Sequence, residues 1–599
     1  MEINAETEYK NRLETYTTEL VENENIHQNI GRLRLLLVAI TILLSSLCYN
    51  NNYISLSFIS ISIGTILFVL LARKHLAIER RIAQLQKLAT INRNGIERTN
   101  GGWRNFQDNG SEFFNEEHAF SQDLDIFGDS SIFQRINTTH TSFGREKLAS
   151  KLCNTDVPTI GISETQRSIA ELSNHIEFRQ AIELSTLQTE SRFINKVLDW
   201  FNSKNTALSL LNMKRVAHSL PVISIILSCA EIIFYQTFFA PVGLYSLQVL
   251  LVVRYNKQNQ KLFNAFDNKR NTLKQYANVL EIIEAQTFAT RLLQNLQASI
   301  IRNNTPSTSL HSLNGILNSA GLRHNKLVHL FINIILLWDT RCAIQAIEWK
   351  KENGASIRIW FDVIGEIEAL ASLSVLSYEN PSWTMPTINN SKTIDAKNIK
   401  HPLLEEDTNI GNDFSLGHNK DTAIISGSNM SGKSTFLRTV ATNLVLAHAG
   451  APVNADSFHC GQFTIVTSMR TVDNIDKQIS TFYAELIRIK KMIDVAKTSN
   501  TFFFIDEIFS GTNSRDRLEG AFQVIKALNT PNCIGIISTH DLALCELTTT
   551  DIPTAKNYHF REYYQGDKIH FDYKIHAGQS TTSNALFMMQ KIGIPVNQS

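Results

Sequence analysis

Thr422-Ala-Ile-Ile-Ser426 followed by Gly427-Ser-Asn-Met-Ser-Gly-Lys-Ser-Thr435 decides the fold of this 599-residue chain. The first part is a short apolar run. The second fills the pattern G-x-x-x-x-G-K-[ST], and the helix-prone Phe436 to His448 follows it. Strand, loop and helix in that order are the context in which this pattern carries a mechanism. Gly427 and Gly432 let the backbone N–H groups of Ser428, Asn429, Met430, Ser431 and the residues after them close around phosphate oxygens. The helix start adds favourable partial charge. Lys433 is placed to reach the β- and γ-phosphates, Ser434 to ligate Mg²⁺, and Thr435 completes the cradle. These residues imply a site for a nucleoside triphosphate.

Downstream, Thr501-Phe-Phe-Phe-Ile-Asp-Glu507 reads as a buried strand of a parallel sheet ending in two carboxylates. In a phosphate-loop enzyme the Asp at that strand end holds Mg²⁺ and a neighbouring carboxylate polarises the attacking water. Asp506 is thus the candidate metal ligand, and Glu507 the candidate catalytic base. A second apolar strand, Cys533-Ile-Gly-Ile-Ile-Ser-Thr539, ends at His540, positioned to sense the γ-phosphate from the next strand. Lys433, Glu507 and His540 form the candidate catalytic set. An Asp-Glu pair alone is usually a solvated loop; three such signals in this order, each at a strand end, are specific.

Two intervening segments, Ser480-Thr-Phe-Tyr-Ala-Glu-Leu486 and Gly511-Thr-Asn-Ser-Arg-Asp516, join the phosphate loop and Ser-Thr-His-Asp541 in a set that resembles the ATPase domain of the MutS family of mismatch-repair proteins. The family pattern is a G-P-N-M-x-G-K-S-T loop, S-T-F-x-x-E, D-E-x-x-x-G-T and T-H. The likeness takes in His401-Pro-Leu-Leu404, Asn412-Asp413 and the closing Gly578 to Pro595, so it runs from residue 395 to the C-terminus. Leu124-Asp-Ile-Phe-Gly128, Ser131-Ile-Phe133, Thr141-Ser-Phe-Gly-Arg-Glu-Lys-Leu148, Gln166 to Leu172 and Glu366 to Ser372 look, more faintly, like the family's helical core and lever domain. The resemblance implies ATP and Mg²⁺ as cofactors and puts Asn412 at the nucleotide. It also implies a homodimer with composite sites, in which Ser480 of one subunit approaches the γ-phosphate held by Lys433 of the other, and levers that enclose DNA.

The chain departs from that pattern in ways that bear on function. Ser428 replaces the usual Pro, Asn409 stands where an aromatic residue stacks on adenine, and Ile-Phe-Ser510 replaces Ile-Gly-Arg. Residues 1–115 stand where the mismatch-reading domain, with its Phe-x-Glu wedge, and the connector domain are expected, and their composition suits neither.

Instead, Leu35 to Tyr49 and Tyr53 to Ala72 are uncharged apolar runs separated by Asn50-Asn51-Asn52 and flanked by Arg32, Arg34, Arg73 and Lys74. The second run meets the roughly 20 residues a spanning helix needs; the first is short and relies on snorkelling arginines. Basic residues at both outer ends predict a membrane hairpin with both ends in the cytoplasm. Val216 to Tyr235 and Thr237 to Val253, bracketed by Lys214-Arg215 and Arg254, repeat the charge pattern. Glu231 is costly in lipid, so core helices of a large helical domain remain open for this second pair.

Lys+Arg 57 against Asp+Glu 56 gives a net charge of +1, so no global basic field advertises nucleic acid. The seven cysteines form no C-x-x-C pair, which argues against zinc. The expected architecture is an α/β phosphate-loop ATPase domain with an ABC-like mixed sheet, C-terminal to a mostly α-helical core and lever domain with transmembrane hairpins. Its parts are a polar segment at 1–30, the first hairpin and basic exit helix at 31–90, a helical domain at 115–385 interrupted at 216–253, and the ATPase domain at 395–599. Asn557 to Ile575 alternates around Gln565-Gly566-Asp567 as a β-hairpin. The expected function is a dimeric ATPase anchored in the cell (inner) membrane, with its ATPase domain in the cytoplasm, engaging DNA. The alternative is a membrane NTPase that drives a conformational change on a non-DNA partner. Ser480-Thr-Phe in place of L-S-G-G-Q sets the chain apart from ABC transporters.

Overall fold

Alternation along Thr501–Asp506 sends Phe503 and Ile505 to one face of a sheet and Phe502 and Phe504 to the other. Phe503 and Ile505 pack with Ile489, Met492, Ile525 and Leu528 from two covering helices, whereas Phe502 and Phe504 stack with ring centroids 4.5 Å apart. Burial on both faces explains why this strand reads as a continuous apolar run.

The computed structural model describes residues 4–153, 159–187, 197–201, 203, 208–235, 239–264, 266, 270–301, 305–320, 326–418, 421–470, 481–509, 514–565 and 568–579. Contacts divide the chain into two units, Met1–Gln107 and Asp108–Ser599.

In the second unit the strands are β1 (Thr387–Asn389), β2 (Ile394–Ile399), β3 (Asn412–Leu416), β4 (Thr422–Ser426), β5 (Ser457–Gly461), β6 (Thr464–Ser468), β7 (Thr501–Asp506), β8 (Cys533–Thr539), β9 (Ala555–Gln565) and β10 (Lys568–Ala577). They form a sheet of order β10-β9-β4-β8-β7-β6 and a smaller one of order β1-β5-β2-β3. From β9 to β6 the large sheet is parallel, and β10 returns antiparallel to β9. The C-terminal ends of β4, β8 and β7 therefore lie side by side. Residues 566 and 567, between β9 and β10 in the chain, lie outside the described residues.

Before the strands, the unit is helical from Ile132–Ile136 to Ile357–Glu379. The last of these helices is buried along most of its length. Its Glu368, fully enclosed, accepts the backbone N–H of His140 at 3.0 Å and the hydroxyl of Thr141, and Thr141 caps Gly144 N at 3.0 Å. One carboxylate thus fixes the start of helix Ser142–Cys153.

The first unit is built from two helices of equal length, Ala5–Asn50 and Ile54–Thr99, each of 46 residues. The polar segment, the apolar runs and the basic exit belong to these two continuous helices rather than to separate elements. A break of Asn51 to Tyr53 makes the helices antiparallel neighbours. Tyr9 lies so close over Gly95 that an added Cβ there would meet its ring at 2.8 Å. Glu19 pairs with Arg81 at 2.7 Å, His27 stacks on His75 at 3.9 Å, and the Ser45 and Ser57 hydroxyls meet at 2.9 Å. The apolar middle faces outward: Leu35 is 75% exposed, Leu43 60% and Phe58 67%.

Among the described residues, three helices are long and apolar enough to cross a membrane: these two and Lys214–Phe234. The bent pair His329–Leu336 and Trp338–Asn353, turning by 71° at Leu337, is a fourth candidate if counted as one span. Helix Phe239–Asn264 is not among them; its apolar stretch ends at Arg254. It packs on Lys214–Ala230 through polar groups, Gln248 donating to Ser224 at 3.1 Å and Ser228 meeting Tyr245 at 3.2 Å. The outer faces of this pair are apolar, as at Val222, Ile226 and Leu250.

Candidate functional site

β4 delivers the chain into the phosphate loop, where Gly427 (φ 150°), Met430 (φ 70°) and Gly432 (φ 104°) take positive φ. Gly432 ends the loop as the residue before helix Lys433–His448. A Cβ at Gly432 would stand 3.1 Å from the Tyr573 ring, so close packing and backbone conformation both favour glycine there. The Lys433 ammonium folds back and donates to the carbonyls of Gly427 at 2.9 Å and Ser428 at 2.8 Å. Burial holds it below the usual lysine range, opposed by the charges of Glu507 and Asp506. Ser428 donates to Glu562 on β9, a bond that the proline of the resembled pattern could not make.

At the end of β7, Asp506 accepts the Ser538 hydroxyl from β8. The Glu507 N–H points to the Ser538 carbonyl at 3.3 Å, and Glu507 itself has φ 49°. This left-handed turn after a buried strand presents its carboxylate beside His540, whose Nδ1 lies 3.6 Å from Glu507 Oε1. Lys433, Ser434, Thr435, Asp506 and Glu507 line one cavity of about 580 Å³ together with Asn429, Met430, Ser431 and Gly432. That is an ordinary ligand-pocket size. Gly427 and Ser428, the first two loop residues, are acceptors for Lys433 rather than part of the cavity lining. His540 lines an adjoining small cleft with Glu507 and Arg517.

Asn412, Asn409 and Ser480 need separate description. The Asn412 side chain does not line the cavity: it donates to Tyr573 O at 3.0 Å and accepts from Ile575 N at 2.8 Å, tying β3 to β10 behind Tyr573. Asn409 is buried with both ends of its amide bound to the backbone of His401, at 3.0 and 2.8 Å. Ser480 lies outside the described residues.

The cavity also has walls from other elements. Arg470 follows β6, Glu485 and Arg488 project from helix Thr481–Ala496, and Tyr573 comes from β10. Glu485 accepts Phe509 N at 2.8 Å, and burial raises its carboxyl. Glu485 was legible as the last residue of S-T-F-x-x-E. The others depend on strand order, which no local pattern reveals. Ser434 and Asp506, both in the cavity wall, are hard oxygen donors of the kind that suits Mg²⁺.

Residues 423–598 match the family model described as MutS domain V. Among curated proteins, the chain is 30% identical over 254 residues to the DNA mismatch repair protein MutS of Halothermothrix orenii, covering 41% of this chain and 28% of that one. It is 29% identical over 235 residues to the protein of that name from Persephonella marina, covering 39% and 27%. The corresponding figures for Ehrlichia ruminantium are 33% over 242 residues, 40% and 30%. The chain thus spans less than a third of the length of these relatives, and the likeness to MutS lies in the C-terminal part.

Proposed function

We propose that the second unit binds and hydrolyses ATP, and that the protein works as a membrane-anchored, dimeric, MutS-like ATPase on DNA. One observation carries the first part: a single cavity is lined by Lys433 and Ser434, which follow β4, and by Asp506 and Glu507 at the end of β7, the two parallel strands that flank β8. Lys433 exchanges its two loop carbonyls for phosphate oxygens. The loop N–H groups hold the phosphates, and Glu507 orients a water and takes its proton. His540 steadies the Glu507 carboxylate from the next strand. Ser434 and Asp506 would hold Mg²⁺, which neutralises charge on the phosphates. Ser480 acts across a homodimer interface, and Asn412 serves the site by positioning Tyr573. The test is Mg²⁺-dependent ATP hydrolysis by the full chain. Lys433→Ala is expected to abolish nucleotide binding, and Glu507→Gln to retain it while slowing turnover about a hundredfold or more. Full turnover in Glu507→Gln sinks the assignment. Mixing Ser480→Ala with Lys433→Ala subunits should restore activity to the composite site.

For the remaining regions, the exposed apolar helices favour membrane anchoring with 1–30 and 31–90 as tail and hairpin, 115–385 as lever domain and 395–599 as engine. The relatives' name favours DNA as the partner. Phosphate-based DNA binding should fall steeply with salt and show little sequence preference. Gel shifts with homoduplex, mismatched and four-way-junction DNA test it; no binding to any of them at low salt favours a non-DNA partner.

A further inference from the structure

The cavity wall opposite the phosphate loop is cationic, and its geometry is set from the start of the helical region. Ser468 at the end of β6 is level with Ile505 of β7, so Met469 and Arg470 emerge level with Asp506 and Glu507. Arg470 lines the cavity, and its guanidinium donates to Asp125 Oδ1 at 2.7 Å and to Gln122 O at 3.1 Å. Its backbone is held too: Asp123 accepts Arg470 N at 3.2 Å, Met469 N at 3.0 Å and the Thr467 hydroxyl at 2.7 Å. Arg488, also in the wall, donates to Arg470 O at 2.7 Å. Asp125 makes a second ion pair, with Arg438 of the phosphate-loop helix, at 3.2 Å. Its own backbone is in the left-handed region (φ 50°), and its carbonyl accepts Ile132 N at 3.0 Å, where the helical region begins.

Resting on the nucleotide reading, we infer that Arg470 is a phosphate-contacting residue of this cavity and Asp125 is its positioning residue. A guanidinium offers five N–H donors; among the described residues Asp125 and Gln122 each take one of them, and the remaining N–H groups suit an anion. Asp506 and Glu507 would repel a triphosphate, and Lys433 alone faces them from the loop side. Arg470 and Arg488 supply the opposing charge from the other wall. Bidentate guanidinium contacts suit phosphate oxygens in particular. Asp125, tethered to both Arg438 and Arg470, fixes the distance between the phosphate-loop helix and that second wall.

The test uses full-length protein in detergent, measuring MgATP affinity, KM, kcat and the unfolding temperature without nucleotide. Arg470→Ala is expected to bind MgATP about ten- to a hundredfold more weakly, with Arg470→Lys recovering part of the loss. Asp125→Asn should raise KM while kcat stays within about twofold, and Asp125→Glu should restore KM. Wild-type affinity in Arg470→Ala overturns the inference. So does a loss that tracks a fall in unfolding temperature and is not rescued by lysine, which marks a purely structural role. The nucleotide reading fails separately, and takes the inference with it, if wild-type protein binds no MgATP. If Lys433→Ala abolishes binding while Arg470→Ala does not weaken it, only the Arg470 inference falls.

Discussion

Strand β7 and the middle of the first hairpin are both rich in apolar residues, yet they meet opposite surroundings. Phe502, Phe503, Phe504 and Ile505 have no exposed surface, whereas Leu43, Phe58 and Ile66 expose 60% or more. The strand finds its burial within the chain, from helices on both faces of a parallel sheet. Within its apolar runs the hairpin buries only Ser57 and Gly64 and leaves most other side chains exposed. An apolar surface of that extent calls for cover from outside the fold. The difference shows that apolar runs of similar composition can belong to different solvents, and that helix length and flanking charge, not hydropathy, separate them.

The sharpest way to break the comparison is to truncate one aromatic in each region. Phe503→Ala should cost about 3–5 kcal/mol in denaturant unfolding of the second unit, while Phe58→Ala should change it by less than about 0.5 kcal/mol; equal effects would erase the distinction. Next, Ile63→Arg places a charge mid-run in the second helix and should cost about 2.5–3.5 kcal/mol of membrane insertion. It is read as a larger carbonate-extractable fraction, and unchanged partitioning would show that the helix lies in water or against protein.

Burial in the nucleotide region also has a signature in pH. His401 is held down to about 4 by burial, aided by Arg438 and Arg135, and His448 to about 4 by burial alone, against a usual value of 6.5. Both stay neutral when folded, so their contribution is complete above pH 6.5 and is lost as pH falls from there to about 4. Each contributes up to about 3 kcal/mol, so denaturant midpoints of the second unit should drop steeply across that window. His401→Gln and His448→Gln should flatten the drop, and an unchanged profile would discount them. The smallest effect belongs to the hairpin seam: Ser45→Ala removes one hydroxyl contact and should weaken helix pairing by about 1 kcal/mol, measured as a change in the thermal midpoint of the isolated helical signal.

The phosphate loop was legible because its chemistry fixes residue identity. A cradle of N–H groups needs Gly427 and Gly432 where φ is positive, and a triphosphate needs Lys433 just after them. Asp506 and Glu507 were legible because a buried strand has few reasons to end in two carboxylates. Arg470 and Tyr573 were not, since they reach the cavity through the order β9-β4-β8-β7-β6 and the return of β10, which no local periodicity encodes. The bonds of Asn412 to Tyr573 and Ile575 were hidden for the same reason: its position in the chain says nothing of β10 crossing beside it. The first two helices divided by composition into polar, apolar and basic parts, but backbone hydrogen bonding ignores such changes, and each continues through all of them. In the second pair, Gln248 and Ser224 look like interruptions of an apolar run and turn out to be its inward contacts.

The length of the first hairpin has a consequence for electrostatics at a distance. Thr99, the end of its second helix, lies 27 residues beyond Ala72, where the apolar run stops. At 1.5 Å per residue that is roughly 40 Å of helix, braced by its neighbour through Glu19–Arg81 and the Tyr9–Gly95 contact. With the apolar run in a bilayer, the chain leaving Thr99 stands about five Debye lengths clear of the lipid surface at physiological salt. The surface potential of such a bilayer has decayed there. Charges at the far end of these helices would then be independent of the charge of that bilayer.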